Sequence, residues 1–305
     1  MSKRAFLFPG QGSQYVGMAK DIYDFSEDAR NKVKKAEETL GFNISDIMFN
    51  GPKEKLQQTE ITQPAIFLHS ILIFNLLCNV SADAFAGHSL GEYTALVAGE
   101  ALPFDTALKL VKNRGEAMAK AGKIQKGTMA AIIGLNGEII ENICEEISNE
   151  KEVVRCANFN SPGQIVISGN VNSVKNAMEL CKEKGAKIAK ELNVSGAFHS
   201  PLMKGAIDQL QDALFSMKFN DSKIFIYTNV NAQPIKKSEQ IKSMLIKQLS
   251  SPVRWEETIR NMINDGINEF IEIGPGKVLQ GLVKRIDRSV KYSGIDKYSD
   301  ILNYN

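Results

Sequence analysis

Gly87-His88-Ser89-Leu90-Gly91 decides how the rest of this chain reads. A short apolar run, Asp83-Ala84-Phe85-Ala86, precedes it, and a helix-like stretch from Glu92 to Ala98 follows. Strand, G-x-S-x-G and helix in that order is the context of a nucleophile elbow. The two glycines let the backbone turn sharply, so that the serine hydroxyl stands exposed where a helix begins. Free N–H groups and the positive end of the helix dipole can stabilise an oxyanion there. The same five residues can also form a plain glycine-rich turn, so partner residues must decide between the two.

Outward from the elbow, strands and helices alternate. On the N-terminal side the pattern predicts a strand from Arg4 to Phe8, helices through Leu40, a polar loop, and a helix from Gln63 to Leu77. On the C-terminal side, Pro103 suits a first helical turn, and Leu108, Leu110 and Val111 recur at helical spacing up to about Ala121. The texture changes at Gly127. Strand Thr128–Leu135, helix Gly137–Ser148, strands Val153–Asn158 and Gln164–Ser168, helix Asn172–Lys184 and strand Ala186–Val194 follow one another. That β-α-β-β-α-β order is the ferredoxin-like plan. Afterwards come helix Pro201–Met217, strand Lys223–Thr228, and helices Glu239–Leu249 and Glu256–Asp265. Strand Glu269–Ile273 then runs through Gly274-Pro275-Gly276 into a last helix. The expectation is an α/β fold with a mainly parallel sheet covered on both faces, made by residues 1–124 and 197–305. A small ferredoxin-like domain, residues 125–196, is inserted into it.

The 305 residues are 43% hydrophobic and 24% charged with a formal net charge of +2, an ordinary globular composition. That balance argues against a protein dedicated to nucleic acid, and leaves room for a local basic patch facing an anionic partner. The apolar run Ala5–Phe8 is too short for a signal-peptide core, and no segment is apolar for long enough to span a membrane. Cys78, Cys144, Cys156 and Cys181 are scattered, without C-x-x-C or Cys/His metal spacing. They read as reduced packing residues of a cytoplasmic protein, and a structural zinc is not expected.

A serine nucleophile needs a base, and the chain has 3 histidines. His69 lies in an apolar helix and reads as a satisfied core residue. His88 adjoins Ser89 on extended backbone, where neighbouring side chains point apart, so packing or hydrogen bonding suits it better. His199 sits in Ser195-Gly196-Ala197-Phe198-His199-Ser200-Pro201, a loop at the domain junction, where sites tend to form; a surface loop histidine is the plainer alternative. Arg114 falls within the stripe Ala107, Leu110, Val111 and Met118 of its helix. A guanidinium there must find an anion, either an internal carboxylate or a substrate carboxylate gripped bidentately. Two polar turns, Phe8 to Gln14 and Asn158-Phe159-Asn160, have the composition of ligand-facing segments, though ordinary turn chemistry would also account for them.

Taken in order, these motifs closely resemble those of the malonyl-CoA:acyl carrier protein transacylase family over essentially the whole chain. The pieces are Phe8-Pro-Gly-Gln-Gly-Ser-Gln14, Thr62-Gln63-Pro64-Ala65, Gly87-His-Ser-Leu-Gly-Glu92 and Arg114-Gly115. They continue with Asn158-x-Asn160-Ser161-Pro162-Gly163-Gln164, Gly196-Ala-Phe-His199-Ser-Pro-Leu-Met203, Ser251-Pro-Val-Arg-Trp255 and Glu272-Ile-Gly-Pro-Gly-Lys277. The resemblance implies an α/β-hydrolase-like core with a ferredoxin-like insertion. It implies Ser89 as nucleophile, His199 as base, and an oxyanion hole from the N–H groups of Gln11 and Leu90. Arg114 would grip the malonyl carboxylate, Gln63, Asn158 and Asn160 would contribute to substrate binding, and the main-chain carbonyl of Gln248 would orient the histidine.

The implied reaction is a ping-pong transfer of malonyl from malonyl-CoA to the phosphopantetheine thiol of acyl carrier protein, in fatty-acid biosynthesis. No cofactor takes part, since malonyl-CoA is itself a substrate. Acyl carrier protein is acidic, which makes Lys187, Lys190, Lys277, Lys284 and Arg285 candidates for docking it. A cytoplasmic monomer with no nucleic-acid or membrane partner is expected. Two rivals remain at this stage. A serine hydrolase would need no pocket arginine and would normally carry a triad carboxylate; a non-catalytic carrier-protein binder would have no use for an intact Ser89 and His199.

Overall fold

The computed structural model describes residues 3–78 and 80–304. The first part of the chain forms β1 (Lys3–Phe8), α1 (Lys20–Phe25), α2 (Glu27–Leu40), α3 (Ile44–Asn50), α4 (Lys53–Leu56), α5 (Thr59–Leu76), β2 (Ala84–Gly87), α6 (Gly91–Ala98) and α7 (Phe104–Ile124). The middle forms β3 (Gly127–Ile133), α8 (Gly137–Ile147), β4 (Val154–Ser161), β5 (Gln164–Asn170), α9 (Val171–Glu183) and β6 (Ile188–Glu191). The last part forms α10 (Lys204–Ser216), β7 (Phe225–Tyr227), β8 (Pro234–Ile235), α11 (Ser238–Gln248), α12 (Trp255–Asn264), β9 (Ile267–Ile273), α13 (Val278–Ile286), β10 (Lys291–Ile295) and α14 (Tyr298–Leu302).

Two sheets result. The larger runs β10-β9-β1-β2-β7-β8, parallel throughout except for the two-residue β8 at its edge. Ala5, Phe6, Leu7 and Phe8 of β1 are all buried, as a central parallel strand covered on both faces requires. The smaller sheet runs β4-β5-β3-β6, antiparallel throughout, with α8 and α9 closing a core of its own around Ile140, Val154, Ile167 and Val174. This is the expected α/β fold, with a mainly parallel sheet and a ferredoxin-like strand order in the smaller one.

Several local expectations shift. The polar stretch after Leu40 holds α3 and α4, because Ile44, Ile47 and Met48 share one buried face and the Asn43 side chain caps the Asp46 N–H. α5 begins a turn before Gln63; Pro64 gives up one helical hydrogen bond there while its fixed φ still suits a helix. Every α5 residue from Ile61 to Ile73 is buried, and the helix packs along α7. β10 has no counterpart in the sequence reading, since Lys291 to Gly294 are exposed or half-buried on an edge strand and show little apolar alternation. Cys144, Cys156 and Cys181 are buried as expected of packing residues, whereas Cys78 is exposed. No helix among the described residues is long and apolar enough to cross a membrane.

Candidate active site

The carboxyl ends of β1, β2, β7 and β9 open on one side of the larger sheet, where open α/β folds place their ligand crevice. The turn from β2 into α6 crosses the end of β1, and the crossing leaves no room for side chains. A Cβ on Gly87 would lie 1.8 Å from the Gly91 carbonyl carbon, and one on Gly91 would lie 2.0 Å from the Phe8 carbonyl oxygen. The turn between them forces Ser89 into the left-handed region at φ 52°. That conformation lifts its hydroxyl out of the chain at the start of α6.

His199 reaches the same point from the loop that leaves the smaller sheet, itself at φ 56°. Ser200 braces that loop by donating to the Ala197 carbonyl at 2.6 Å. His199 Nε2 stands 2.8 Å from Ser89 Oγ. Its Nδ1 faces two main-chain carbonyls, Gln248 at 3.0 Å and Ser251 at 3.1 Å. Carbonyls only accept, so Nδ1 carries the proton and Nε2 presents its lone pair to the serine hydroxyl. Burial, and then the Arg114 charge, hold the imidazole pKa down to about 3, which keeps the ring neutral.

Arg114, on the buried face of α7, is 1% exposed. Its Nη1 donates to Gln63 Oε1 at 2.7 Å, and its Nη2 to Ser89 Oγ at 2.9 Å and Gln248 Oε1 at 3.2 Å. The Tyr93 ring lies beneath it, 5.6 Å from the guanidinium carbon. These acceptors are all neutral, and no carboxylate among the described residues forms an ion pair with it. An unpaired buried charge of this kind costs about 3–5 kcal/mol, so the cavity is prepared for an anion.

The cavity in front of these groups holds about 640 Å³, within the usual range for a small-molecule site. Of the residues singled out from sequence, Gln11, Gln63, Ser89, Leu90, Arg114, Asn158, Asn160 and His199 all line it. Gln248 stands behind the wall and acts through its hydrogen bonds. Gln11 follows β1, and Leu90, next to Ser89 in the chain, caps the start of α6; both face the same cavity as Ser89. His88 turns away from the serine, to Asn160 Oδ1 at 2.8 Å and the Trp255 ring at 5.4 Å. His69 is buried on the far side, 2.8 Å from the Asp296 carbonyl. Val166, Leu192 and Val194 supply apolar wall from the smaller sheet and the segment after it.

The sequence reading missed Asn229 and Glu92. Asn229 grips the elbow from the end of β7: its amide nitrogen donates to the Gly87 carbonyl at 2.7 Å, and its oxygen accepts the Ser89 N–H at 2.7 Å. Its own N–H donates to Glu92 at 2.9 Å. Burial pushes the Glu92 carboxyl up to about 7, against hydrogen bonds from Asn229 and Gln248 and the Arg114 charge, which pull it down. The available signal was a carboxylate among small and apolar residues in Gly91–Ala98, and an asparagine just past a strand end.

Known proteins resemble this chain over nearly its whole length. Residues 5–298 match the acyl transferase domain family. The malonyl CoA-acyl carrier protein transacylase of Bacillus subtilis (strain 168) is 46% identical over 293 residues, covering 95% of this chain and 92% of that protein. The solved malonyl CoA-acyl carrier protein transacylase of Coxiella burnetii superposes with a TM-score of 0.95 at 40% identity, covering 99% of this chain and 96% of that one. A malonyl-transacylase solved in complex with its holo type II PKS acyl-carrier protein has a TM-score of 0.95 at 36% identity, with 99% of each chain covered. A serine held between a neutral imidazole and a buried guanidinium, in this fold and with these relatives, makes the chain a member of the malonyl CoA-acyl carrier protein transacylase family.

Proposed function

We propose that this acyltransferase moves malonyl from malonyl-CoA to the phosphopantetheine thiol of acyl carrier protein through an ester on Ser89. One observation carries the reading: Ser89 Oγ is within hydrogen-bond reach of both His199 Nε2, at 2.8 Å, and Arg114 Nη2, at 2.9 Å. A base and a carboxylate-binding fork on the same hydroxyl suit a short acyl group that ends in a carboxylate.

In the first half-reaction Ser89 Oγ attacks the thioester carbon while His199 Nε2 takes the hydroxyl proton. The tetrahedral oxyanion is held by the N–H groups of Leu90 and Gln11. The C–S bond then breaks, and the proton on His199 goes to the departing coenzyme A thiolate. In the second half the phosphopantetheine thiol gives its proton to His199 and attacks the ester, and Ser89 regains its proton as the C–O bond breaks. Two carbonyls behind the histidine stand in for a triad carboxylate; they orient the ring without adding charge. Arg114 holds the malonyl carboxylate, with Gln63 fixing the fork and Asn158 and Asn160 lining the slot. Acetyl would leave the guanidinium unpaired and is disfavoured on that account.

The relative solved with its acyl-carrier protein supports a carrier-protein acceptor, and Lys187, Lys190, Lys277, Lys284 and Arg285 are all exposed. Lys277 directly precedes α13, whose Val278, Leu279 and Leu282 line the cavity. We assign carrier docking to this basic rim; unchanged transfer and salt dependence after charge reversal at Lys284 and Arg285 would remove that assignment. Residues 125–196 serve as the unit that roofs the slot. The protein acts in the cytoplasm as a monomer, with no cofactor.

Intact-mass measurement after exposure to malonyl-, acetyl- and methylmalonyl-CoA tests the reading. A single malonyl adduct on Ser89 is expected, released by a pantetheine thiol much faster than by water and absent in Ser89→Ala. Release by water alone would make the protein a hydrolase, and no adduct at all would leave only a binding role.

A further inference from the structure

Glu92 stands in the first turn of α6 and is 1% exposed. A carboxylate this deep is tolerated only when well hydrogen-bonded. A single oxygen, Oε2, accepts from Gln248 Nε2 at 3.0 Å and from the Asn229 N–H at 2.9 Å. The same Gln248 nitrogen also donates to the Ser89 carbonyl at 3.0 Å. With its amide protons directed at two acceptors, the Gln248 carboxamide has one workable orientation, and its oxygen faces Arg114 Nη2 at 3.2 Å. A flipped amide would set oxygen against the Glu92 carboxylate and the Ser89 carbonyl, and its protons against the guanidinium. Glu92 lies behind the cavity wall and touches neither the serine hydroxyl nor the space in front of it.

We propose that Glu92 is a positioning residue for acyl selection, which acts through the Gln248 carboxamide to keep Arg114 in register with Ser89. Through the Asn229 main chain it also ties that register to the clamp on the elbow. The proposal rests on Arg114 reading the malonyl carboxylate. It assigns the discrimination between acyl groups to a relay of three side chains, Glu92, Gln248 and Arg114, rather than to the arginine alone.

The test uses the full-length enzyme and reads kcat/KM for malonyl-CoA and acetyl-CoA with a pantetheine acceptor, the ratio of the two being the decisive quantity. Because one oxygen of Glu92 takes both hydrogen bonds, Glu92→Gln can accept them with its amide oxygen, and the ratio should stay within about threefold of the parent. Glu92→Leu should lower the ratio at least about tenfold, with acetyl transfer falling less than malonyl transfer. Gln248→Leu keeps the carbonyl on His199 but cuts the relay, so it should give a similar fall. The double variant should then fall no further, as expected for two residues acting through one contact.

A parent-like ratio in Glu92→Leu, or effects of the two leucine variants that multiply, would overturn the proposal. If Glu92→Leu does not fold, Glu92→Met, which keeps much of the length but accepts neither hydrogen bond, takes its place, and an unchanged ratio there breaks the relay. Arg114→Ala run in parallel separates the two levels. Loss of the ratio in Arg114→Ala but not in Glu92→Leu defeats only this inference, whereas retention in Arg114→Ala defeats the reading beneath it.

Discussion

His199 and Arg114 are both buried and both within hydrogen-bond reach of Ser89, yet they are held in opposite ways. The base is held by main chain: its Nδ1 faces two backbone carbonyls. The guanidinium is held by side chains, the carboxamides of Gln63 and Gln248. Support from backbone survives most substitutions, because replacing a side chain leaves the carbonyl in place. Support from carboxamides is removed by one substitution at a time. The contrast separates chemistry from selection: catalytic competence should resist mutation around the site, while the choice of acyl group should yield readily.

The sharpest break in this contrast is His199→Ala. It removes the one imidazole among the described residues that hydrogen-bonds the Ser89 hydroxyl, and acylation by malonyl-CoA should slow by about a thousandfold or more, measured by single-turnover mass spectrometry. Arg114→Ala comes next. Malonyl transfer should fall by about a hundredfold, as for loss of a charge-assisted bidentate contact, while relative use of acetyl-CoA rises. A two-substrate competition assay reads both, and unchanged selectivity would place the carboxylate elsewhere.

Gln63→Leu removes the acceptor 2.7 Å from Arg114 Nη1 and leaves everything behind His199 intact. Malonyl kcat/KM should drop by about tenfold and acetyl kcat/KM should hardly move. An equal loss for both substrates would mean that the two supports are not separate.

The smallest effect concerns pH. Burial and Arg114 lower the His199 pKa, so the folded site refuses a proton that an ordinary imidazole accepts near 6.5. The base therefore stays neutral as pH falls through that value. Acylation kcat/KM should lose less than about threefold between pH 7 and pH 5, where an unperturbed histidine would lose about 25-fold. An acid limb centred near 6.5 would show that the ring is more solvated than its surroundings imply.

How much of this was legible in the sequence follows from the range of the interactions. The elbow is local: Gly87, Ser89 and Gly91 are visible from spacing, and partner residues were needed only to separate it from a plain glycine-rich turn. Arg114 is legible because α7 is amphipathic and a cation on its apolar face has to be explained. His199 emerged by elimination among three histidines, with the domain junction as support. Asn229 and the Gln248 side chain were not legible, because their partners near Ser89 lie 140 and 159 residues away along the chain. The position of Asn229 just past a strand end is a faint hint, and nothing in the local pattern of Gln248 announces such a contact. The same holds for β10, whose strand state depends on pairing with β9 rather than on its own alternation. α3 and α4 were hidden by a polar majority, although Ile44, Ile47 and Met48 carried the helical spacing.

The left-handed backbone at Ser89 has a thermodynamic consequence. A residue with a Cβ held in that region costs on the order of 1 kcal/mol or more, and glycine is largely exempt. Ser89→Gly should therefore melt at a higher temperature than Ser89→Ala, although both are equally dead as transferases. The fold would be more stable with a residue that has no side chain to carry an acyl group.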